Sequence, residues 1–204
     1  MKKLLIASLL FLTACASQPQ LNSSVLVGAN QGHGTGVHIG AGKVLTAAHV
    51  IGDAKTVVIK TENGLVREGR VVWSNSEKEI ALIQLKHFDD IAKEPLACRD
   101  PVLGERISAL GNPITEEFVT VIGYVAKTTV SRVVEPWMQN AWIADITIAP
   151  GNSGGAILDE HGWIIGLAEA IQMMPIETSD GWTKAPTGLT YIISSKAICE
   201  LLQQ

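Results

Sequence analysis

The chain has 204 residues and a formal net charge of −4, with 47% hydrophobic and 18% charged residues. These proportions exclude an intrinsically disordered chain and provide enough length for one large domain or a two-barrel unit. No basic patch suggests a nucleic-acid partner, so none is expected. The 19 glycines and the many β-branched residues favour an all-β fold with tight turns.

The N-terminus carries the signals of an export segment. Lys2 and Lys3 precede a short apolar run, Leu4 to Leu12, which is too short for a permanent membrane helix. The following Leu-Thr-Ala-Cys resembles a bacterial lipobox, which predicts a lipoprotein signal peptide over residues 1–14 and lipidation (palmitate and other acyl groups) of Cys15. The alternative is a plain secretory signal with an incidental cysteine.

Residues 15–24 are polar and predict a lipidated tether between the anchor and the domain. Ala16 after the cysteine resembles lipoproteins sorted to the outer membrane. We therefore expect a protein of the bacterial cell envelope, held at the outer membrane by its lipid anchor and facing the periplasm. More than one acyl chain would make this membrane association stable.

From Val25 onward, short strands alternate with turn signals. They fall into a first barrel, about 25–91, and a second, about 104–193, separated by a linker at 92–101 that contains two prolines. Residues 194–203 predict a helix with Ser194 as N-cap. The predicted strands are 37–39, 44–46, 56–60, 66–73, 80–85, 106–110, 118–129, 142–148, 155–158, 164–171 and 189–193.

Two motifs about a hundred residues apart carry the chemistry. Ser153 lies in the glycine-flanked sequence Gly-Asn-Ser-Gly-Gly, and His49 follows an apolar run in Thr-Ala-Ala-His-Val. A serine attacks a carbonyl when a base takes its proton and backbone N–H groups bind the oxyanion. We predict Ser153 as nucleophile, His49 as general base, and the N–H groups of Gly151 and Ser153 as oxyanion hole.

A third residue, an acid that orients the histidine, is expected between the two motifs, and Glu79 is the candidate. With this residue the chain resembles the trypsin-like (chymotrypsin-fold) serine peptidases, in particular the HtrA/Deg type. The motifs that carry the resemblance are Gly34–Gly36, Leu45–Val50, Glu79–Leu82, Gly111–Pro113, Asp145–Gly155 and Ile164–Leu167.

The resemblance implies an all-β fold of two Greek-key six-stranded β-barrels with a short C-terminal helix, so that 25–204 form the protease domain. It implies peptide-bond hydrolysis through an acyl-enzyme, no cofactor, no metal, and polypeptide substrates such as unfolded envelope proteins. Two departures matter. Glu79 stands where the family has Asp, and the chain stops where the family continues into a PDZ domain, which leaves the oligomeric state open.

By the family pattern, the base of the specificity pocket is Thr147, and its walls are formed by Glu169, Ala170 and Ile171 and by Gly188. Because Thr147 is not acidic, small or medium apolar P1 residues are expected. Glu169 either points to solvent or lies at the rim of the pocket, where it would favour a basic group.

Cys98 lies in the linker and Cys199 in the C-terminal helix, which in this fold packs toward the linker. They form either a disulfide or two free thiols.

Two other functions compete with the endopeptidase. A catalytically weak or inactive protease-fold lipoprotein would bind extended peptides as an added β-strand, and Glu79 favours this alternative. An esterase or acyl-transferase would use the same serine.

Overall fold

The computed structural model describes residues 22–29, 32–114 and 116–203. The predicted signal peptide, the lipidation site Cys15 and residues 15–21 of the tether lie outside the described residues. Among the helices that are described, none is both long and apolar enough to cross a membrane.

Two closed antiparallel barrels of six strands each make up the fold, which confirms the predicted fold class. The first barrel contains β1 (Ser24–Ala29), β2 (Gly32–Gly40), β3 (Lys43–Thr46), β4 (Thr56–Lys60), β5 (Val66–Asn75) and β6 (Ile80–Gln84), in the spatial order β1-β2-β3-β6-β5-β4. A one-turn helix, α1 (Ala48–Ile51), follows β3.

The second barrel repeats the same strand order. It contains β7 (Arg106–Gly111), β8 (Val119–Lys127), β9 (Ala141–Asp145), β10 (Ala156–Leu158), β11 (Ile164–Thr178) and β12 (Gly181–Ser194), ordered β10-β11-β12-β9-β8-β7. A 3₁₀ helix, Pro136–Asn140, precedes β9, and α2 (Ser195–Leu202) ends the fold.

Alternating side chains fill each barrel, as the period of a β-strand requires. In β4, Val57 and Ile59 are buried whereas Val58 is exposed. A separate apolar cluster lies between the barrels and holds the two halves of the fold together. Its buried members are Val37, Leu45, Ile80, Leu82, Ala156, Leu158, Ile164, Leu167, Ile193 and Ile198.

The C-terminal helix packs back onto the linker between the barrels. A disulfide joins Cys98 of the linker to Cys199 of α2, with Cα atoms 5.6 Å apart. Lys196 Nζ lies 3.0 Å from an Asp100 carboxylate oxygen. The Ser194 side chain accepts a hydrogen bond from the Lys196 N–H at 3.2 Å, which confirms the predicted N-cap.

The strand boundaries differ most at the end of the second barrel. The predicted strands 164–171 and 189–193 extend into a long two-stranded ribbon, because β11 reaches Thr178 and β12 begins at Gly181. Pro175 and Pro186 lie in this ribbon. Proline has no N–H to donate, and a two-stranded ribbon tolerates it because each strand has one unpaired edge. In contrast, β9 ends at Asp145, three residues before the predicted end.

Candidate active site

His49 is presented by the one-turn helix α1. Ala48 and Ile51 on the same helix are buried, so the helix turns its apolar side to the first barrel. The His49 side chain is 46% exposed on the opposite side. A polar group with this exposure is available to a substrate, whereas a histidine satisfied within the core would not be.

Glu79 holds His49 by two atoms. Its Oε2 accepts a hydrogen bond from the backbone N–H of His49 at 3.0 Å and lies 3.1 Å from His49 Nδ1. When Nδ1 carries a proton and donates to this carboxylate, Nε2 is left with its lone pair. The longer side chain of Glu therefore reaches the nitrogen that the acid of a triad must contact.

The backbone of Glu79 has a φ of 55°, in the left-handed region. Asp and Asn adopt this region more readily than Glu does. The departure from the family residue thus places a long side chain at a backbone position that suits the shorter one.

A buried threonine of the first barrel fixes the loop that carries Ser153. Thr35 donates its backbone N–H to the Ser153 carbonyl at 2.9 Å and its Oγ1–H to the Gly151 carbonyl at 2.7 Å. Its Oγ1 also accepts the Asn112 N–H at 2.8 Å. Gly154 has a φ of 83°, and a Cβ there would collide with the Thr35 carbonyl and with the Thr46 hydroxyl. These contacts explain why Gly-Thr-Gly, Gly-Asn-Pro and Gly-Asn-Ser-Gly-Gly occur together.

One candidate oxyanion donor, the Gly151 N–H, is oriented by its peptide plane. The Pro150 carbonyl accepts a hydrogen bond from the Ile114 N–H at 3.0 Å. Because the peptide bond between Pro150 and Gly151 is trans, the Gly151 N–H points in the direction opposite to the Pro150 carbonyl. Within the residues that the structure describes, the N–H groups of Gly151 and Ser153 donate to no protein acceptor, so both are free to bind an oxyanion.

The Ser153 hydroxyl is turned toward the second barrel. Its Oγ donates to the backbone carbonyl of Glu169 at 3.1 Å, and the described residues include no hydrogen bond between Ser153 and His49. Transfer of its proton to His49 requires that the hydroxyl first release the Glu169 carbonyl. Such catalytic hydrogen bonds commonly form only when substrate is bound.

The position of the Glu169 side chain differs from the prediction, which placed it in solvent or at the rim of the pocket. The Glu169 side chain is only 6% exposed, and its Oε1 lies 3.1 Å from His49 Nδ1. The pairing of β11 with β12 shifts register between Ala168 and Ala170, so Glu169 is the extra residue of a bulge. A bulge redirects the side chain of its extra residue, which here faces the histidine.

Two carboxylates therefore compete for one ring nitrogen. They raise the pKa of His49 to about 10, because the hydrogen bonds that the ring donates to Glu169, and then to Glu79, stabilise the imidazolium more than burial disfavours it. Burial raises the pKa of the Glu169 carboxyl above its ordinary value, although His49 opposes this shift. The resting state at neutral pH thus favours a protonated His49.

The other predicted pocket residues lie on three neighbouring strands or their ends. Ala170 and Ile171 of β11 are half-buried and pair with β12, which pairs in turn with β9. Thr147, two residues beyond β9, and Gly188 of β12 are exposed. The fold brings these four residues to the same end of the second barrel, and their role in specificity stays a prediction.

Sequence reasoning missed the contact of Glu169 with His49 and the bonding pattern of Thr35. A signal for the first was present, because Glu169 is the one charged residue in the apolar run 164–171. A charge within a buried strand needs a polar partner. The sequence offered no means of identifying that partner, since it lies 120 residues away in the first barrel.

Comparison with known proteins agrees with this architecture. Residues 34–167 match the family model of the trypsin-like peptidase domain. The periplasmic pH-dependent serine endoprotease DegQ of Escherichia coli is 32% identical over 69% of this chain and 32% of its own length. The serine endoprotease DegS of Escherichia coli is 30% identical over 62% of this chain and 36% of its own length.

Solved structures show the same fold. The serine endoprotease of Yersinia pestis superposes with a TM-score of 0.71 at 23% identity, covering 89% of this chain and 61% of that chain. The HtrA-type protease AlgW gives a TM-score of 0.75 at 22% identity, covering 89% and 59%. The chain spans about a third of the length of the curated relatives that it matches. The match of the family model over most of the chain establishes that this protein belongs to the trypsin-like peptidase family.

Proposed function

We propose that the protein is a serine endopeptidase that hydrolyses peptide bonds through an acyl-enzyme, with His49, Glu79 and Ser153 as its triad. The observation that carries the proposal is the double contact of Glu79 Oε2 with the backbone and the ring of His49. The two free N–H groups in the Ser153 loop also support the proposal. The named relatives are serine endoproteases, which is the same activity.

In the first step, Ser153 Oγ attacks the scissile carbonyl carbon while His49 Nε2 takes its proton. The carbonyl oxygen becomes an oxyanion and receives hydrogen bonds from the Gly151 and Ser153 N–H groups. His49 then gives the proton to the leaving amine. In the second half, water attacks the acyl-enzyme by the same route, and the acid product is released.

Two changes must precede the attack. The Ser153 hydroxyl has to leave the Glu169 carbonyl and turn toward His49. His49 also has to be neutral, and a pKa of about 10 leaves on the order of one ring in a thousand neutral at pH 7. Both requirements favour slow turnover until substrate binding rearranges the site.

For the specificity pocket we propose Thr147, Ala170, Ile171 and Gly188, with small or medium apolar P1 residues. Glu169 is left out, since its carboxylate faces His49. Without an acid in the pocket, a preference for Lys or Arg at P1 has no electrostatic basis.

For location, the relatives named as periplasmic support a site in the bacterial envelope. We propose lipid anchoring through Cys15 at the outer membrane. The Cys98–Cys199 disulfide supports an oxidising compartment of this kind. Loss of membrane association in Cys15→Ser tests the anchor, and unchanged fractionation and acyl labelling would contradict it.

The function itself is tested by casein cleavage with wild type, Ser153→Ala and the control Ser179→Ala, whose serine is exposed in the turn between β11 and β12. We expect loss of cleavage only in Ser153→Ala, with an unchanged circular dichroism spectrum. Cleavage by purified Ser153→Ala would contradict the proposal. Turnover of small esters without casein cleavage would favour an esterase instead.

A second function is favoured by the orientation of Ser153. Because its hydroxyl contacts the Glu169 carbonyl and His49 is protonated at rest, a catalytically weak member that binds extended peptides fits the same geometry. Saturable binding of unfolded casein by wild type, without cleavage or fluorophosphonate labelling at pH 7 to 10, would select this alternative.

A further inference from the structure

The group His49, Glu79 and Glu169 has the composition of a metal site. His49 Nδ1 and one carboxylate oxygen from each glutamate lie within 4.8 Å of one another. Both oxygens are 3.1 Å from Nδ1. Three side chains, from α1, from the residue before β6 and from β11, thus bring their ligand atoms together.

This group is not balanced by protein partners alone. Nδ1 has one proton to donate and faces two carboxylates. Glu169 is only 6% exposed, so its Oε2 is buried, and this oxygen has no hydrogen-bond partner among the described residues. A buried, unpaired carboxylate oxygen is costly, and a cation between the three ligands would neutralise the excess negative charge.

The donor set selects the kind of cation. One imidazole nitrogen and two carboxylate oxygens are ligands that Zn²⁺ accepts, commonly with a water molecule in the fourth position. Mg²⁺ and Ca²⁺ prefer sites made of oxygen atoms alone. The half-exposed His49 ring leaves a path for an ion and its water to enter.

We propose that His49, Glu79 and Glu169 form a binding site for a first-row divalent transition-metal ion, for which Zn²⁺ is the probe, and that the bound ion blocks the peptidase. Binding uses the Nδ1 lone pair, so the proton of the neutral ring is held on Nε2 and any second proton passes to the buffer. Nε2 is the nitrogen that must accept the proton of Ser153. The ion therefore removes the general base and diverts Glu79 from its role.

The metal site stands independently of catalysis, whereas its inhibitory effect rests on the proposed peptidase function. Binding is therefore measured on untagged full-length Ser153→Ala protein, stripped with a chelator and titrated with ZnCl₂ in a calorimeter. We expect one Zn²⁺ per chain, a higher melting temperature, and no comparable binding of Mg²⁺.

Substitutions of the three ligands and of one control residue in that background identify the ligands. Glu169→Gln and Glu79→Gln should each weaken Zn²⁺ binding by about tenfold or more. Glu94→Gln, at another half-buried carboxylate outside the group, should leave the affinity unchanged. If Glu169→Gln fails to fold by circular dichroism, Glu79→Gln and His49→Ala decide the question. Absence of a saturable site, or an affinity that ignores these substitutions, would overturn the proposal.

The inhibitory arm uses wild type. Stoichiometric Zn²⁺ should abolish casein cleavage, EDTA should restore it, and Mg²⁺ should have no effect. Zn²⁺ that binds without inhibiting an active enzyme would overturn the inhibitory half. A wild type without any activity would instead count against the peptidase proposal, while the binding titration still decides the metal site.

Discussion

Neutralising Glu79 should cost less activity here than in a peptidase with a single acid. In the chymotrypsin-type template, amide replacement of the acid lowers kcat by about 10⁴ because the histidine adopts the wrong tautomer. In this chain Glu169 Oε1 lies at the same 3.1 Å from His49 Nδ1 as Glu79 Oε2 does. A second carboxylate can hold the ring in the correct tautomer, although it lacks the bond to the His49 backbone N–H.

We therefore expect Glu79→Gln to lower kcat/KM by roughly 10- to 100-fold, which is about 1.4–2.7 kcal/mol of transition-state stabilisation. Glu79→Gln combined with Glu169→Gln should lose about 10⁴-fold, more than the Glu79→Gln loss alone. The assay is cleavage of a fluorogenic peptide in EDTA, with each enzyme compared at its own high-pH plateau, because losing a carboxylate also lowers the pKa of His49. Glu77→Gln, an exposed acid two residues away, is the matched control and should be unchanged.

Two results would refute this reasoning. A Glu79→Gln enzyme within about threefold of wild type would remove Glu79 from the triad. A loss of about 10⁴ in Glu79→Gln alone, with no further loss in the double variant, would show that Glu169 gives no support to the histidine.

Four other outcomes are expected from the protonation of His49 and from two further contacts of the fold. Because the pKa of His49 is raised to about 10, kcat/KM in EDTA should increase as pH rises from 7 toward 10. Glu169→Gln should move this increase to lower pH, and a flat pH profile would contradict the assigned protonation state. The same raised pKa adds to the free energy of unfolding. This contribution is fully present below the pKa of His49 in the unfolded chain, about 6.5, and is lost as pH approaches 10, which urea unfolding at several pH values measures. Thr35→Val leaves the Gly151 carbonyl and the Asn112 N–H unpaired, so it should lower the free energy of unfolding in urea by roughly 1–3 kcal/mol for each group and also lower kcat. The control Thr56→Val, at an exposed position, should do neither. Cys199→Ser opens a link between residues 101 positions apart and should lower the free energy of unfolding by about 4 kcal/mol, and an unchanged urea midpoint would contradict a stabilising disulfide.

Local patterns determined most of what the sequence could predict about the fold. Alternation gave β4 with its observed ends, 56–60, because one face of that strand is buried and the other is exposed. The ribbon of β11 and β12 beyond Ile171 was missed because prolines and a glycine interrupt its pattern, and its pairing is local to two strands rather than required by a core.

The candidate site divides in the same way. His49 and Ser153 stand in short motifs whose glycines and apolar neighbours are fixed by backbone geometry, so the sequence points to them directly. The position of Glu169 depends on a bulge that changes which face of β11 its side chain occupies. The single charge in this apolar run indicates a polar partner, but the sequence does not show the one-residue shift that directs the side chain, and the resemblance to the family predicted a pocket residue instead.

The central claim is that Ser153, activated by His49, forms the acyl-enzyme. Fluorophosphonate labelling followed by peptide mass spectrometry measures this most directly, with wild type and His49→Ala compared in EDTA at pH 9. The account predicts one phosphonyl group per chain, located on Ser153, and labelling slowed by orders of magnitude in His49→Ala. An unlabelled wild type, a label on another residue, or equal rates in the two proteins would contradict it.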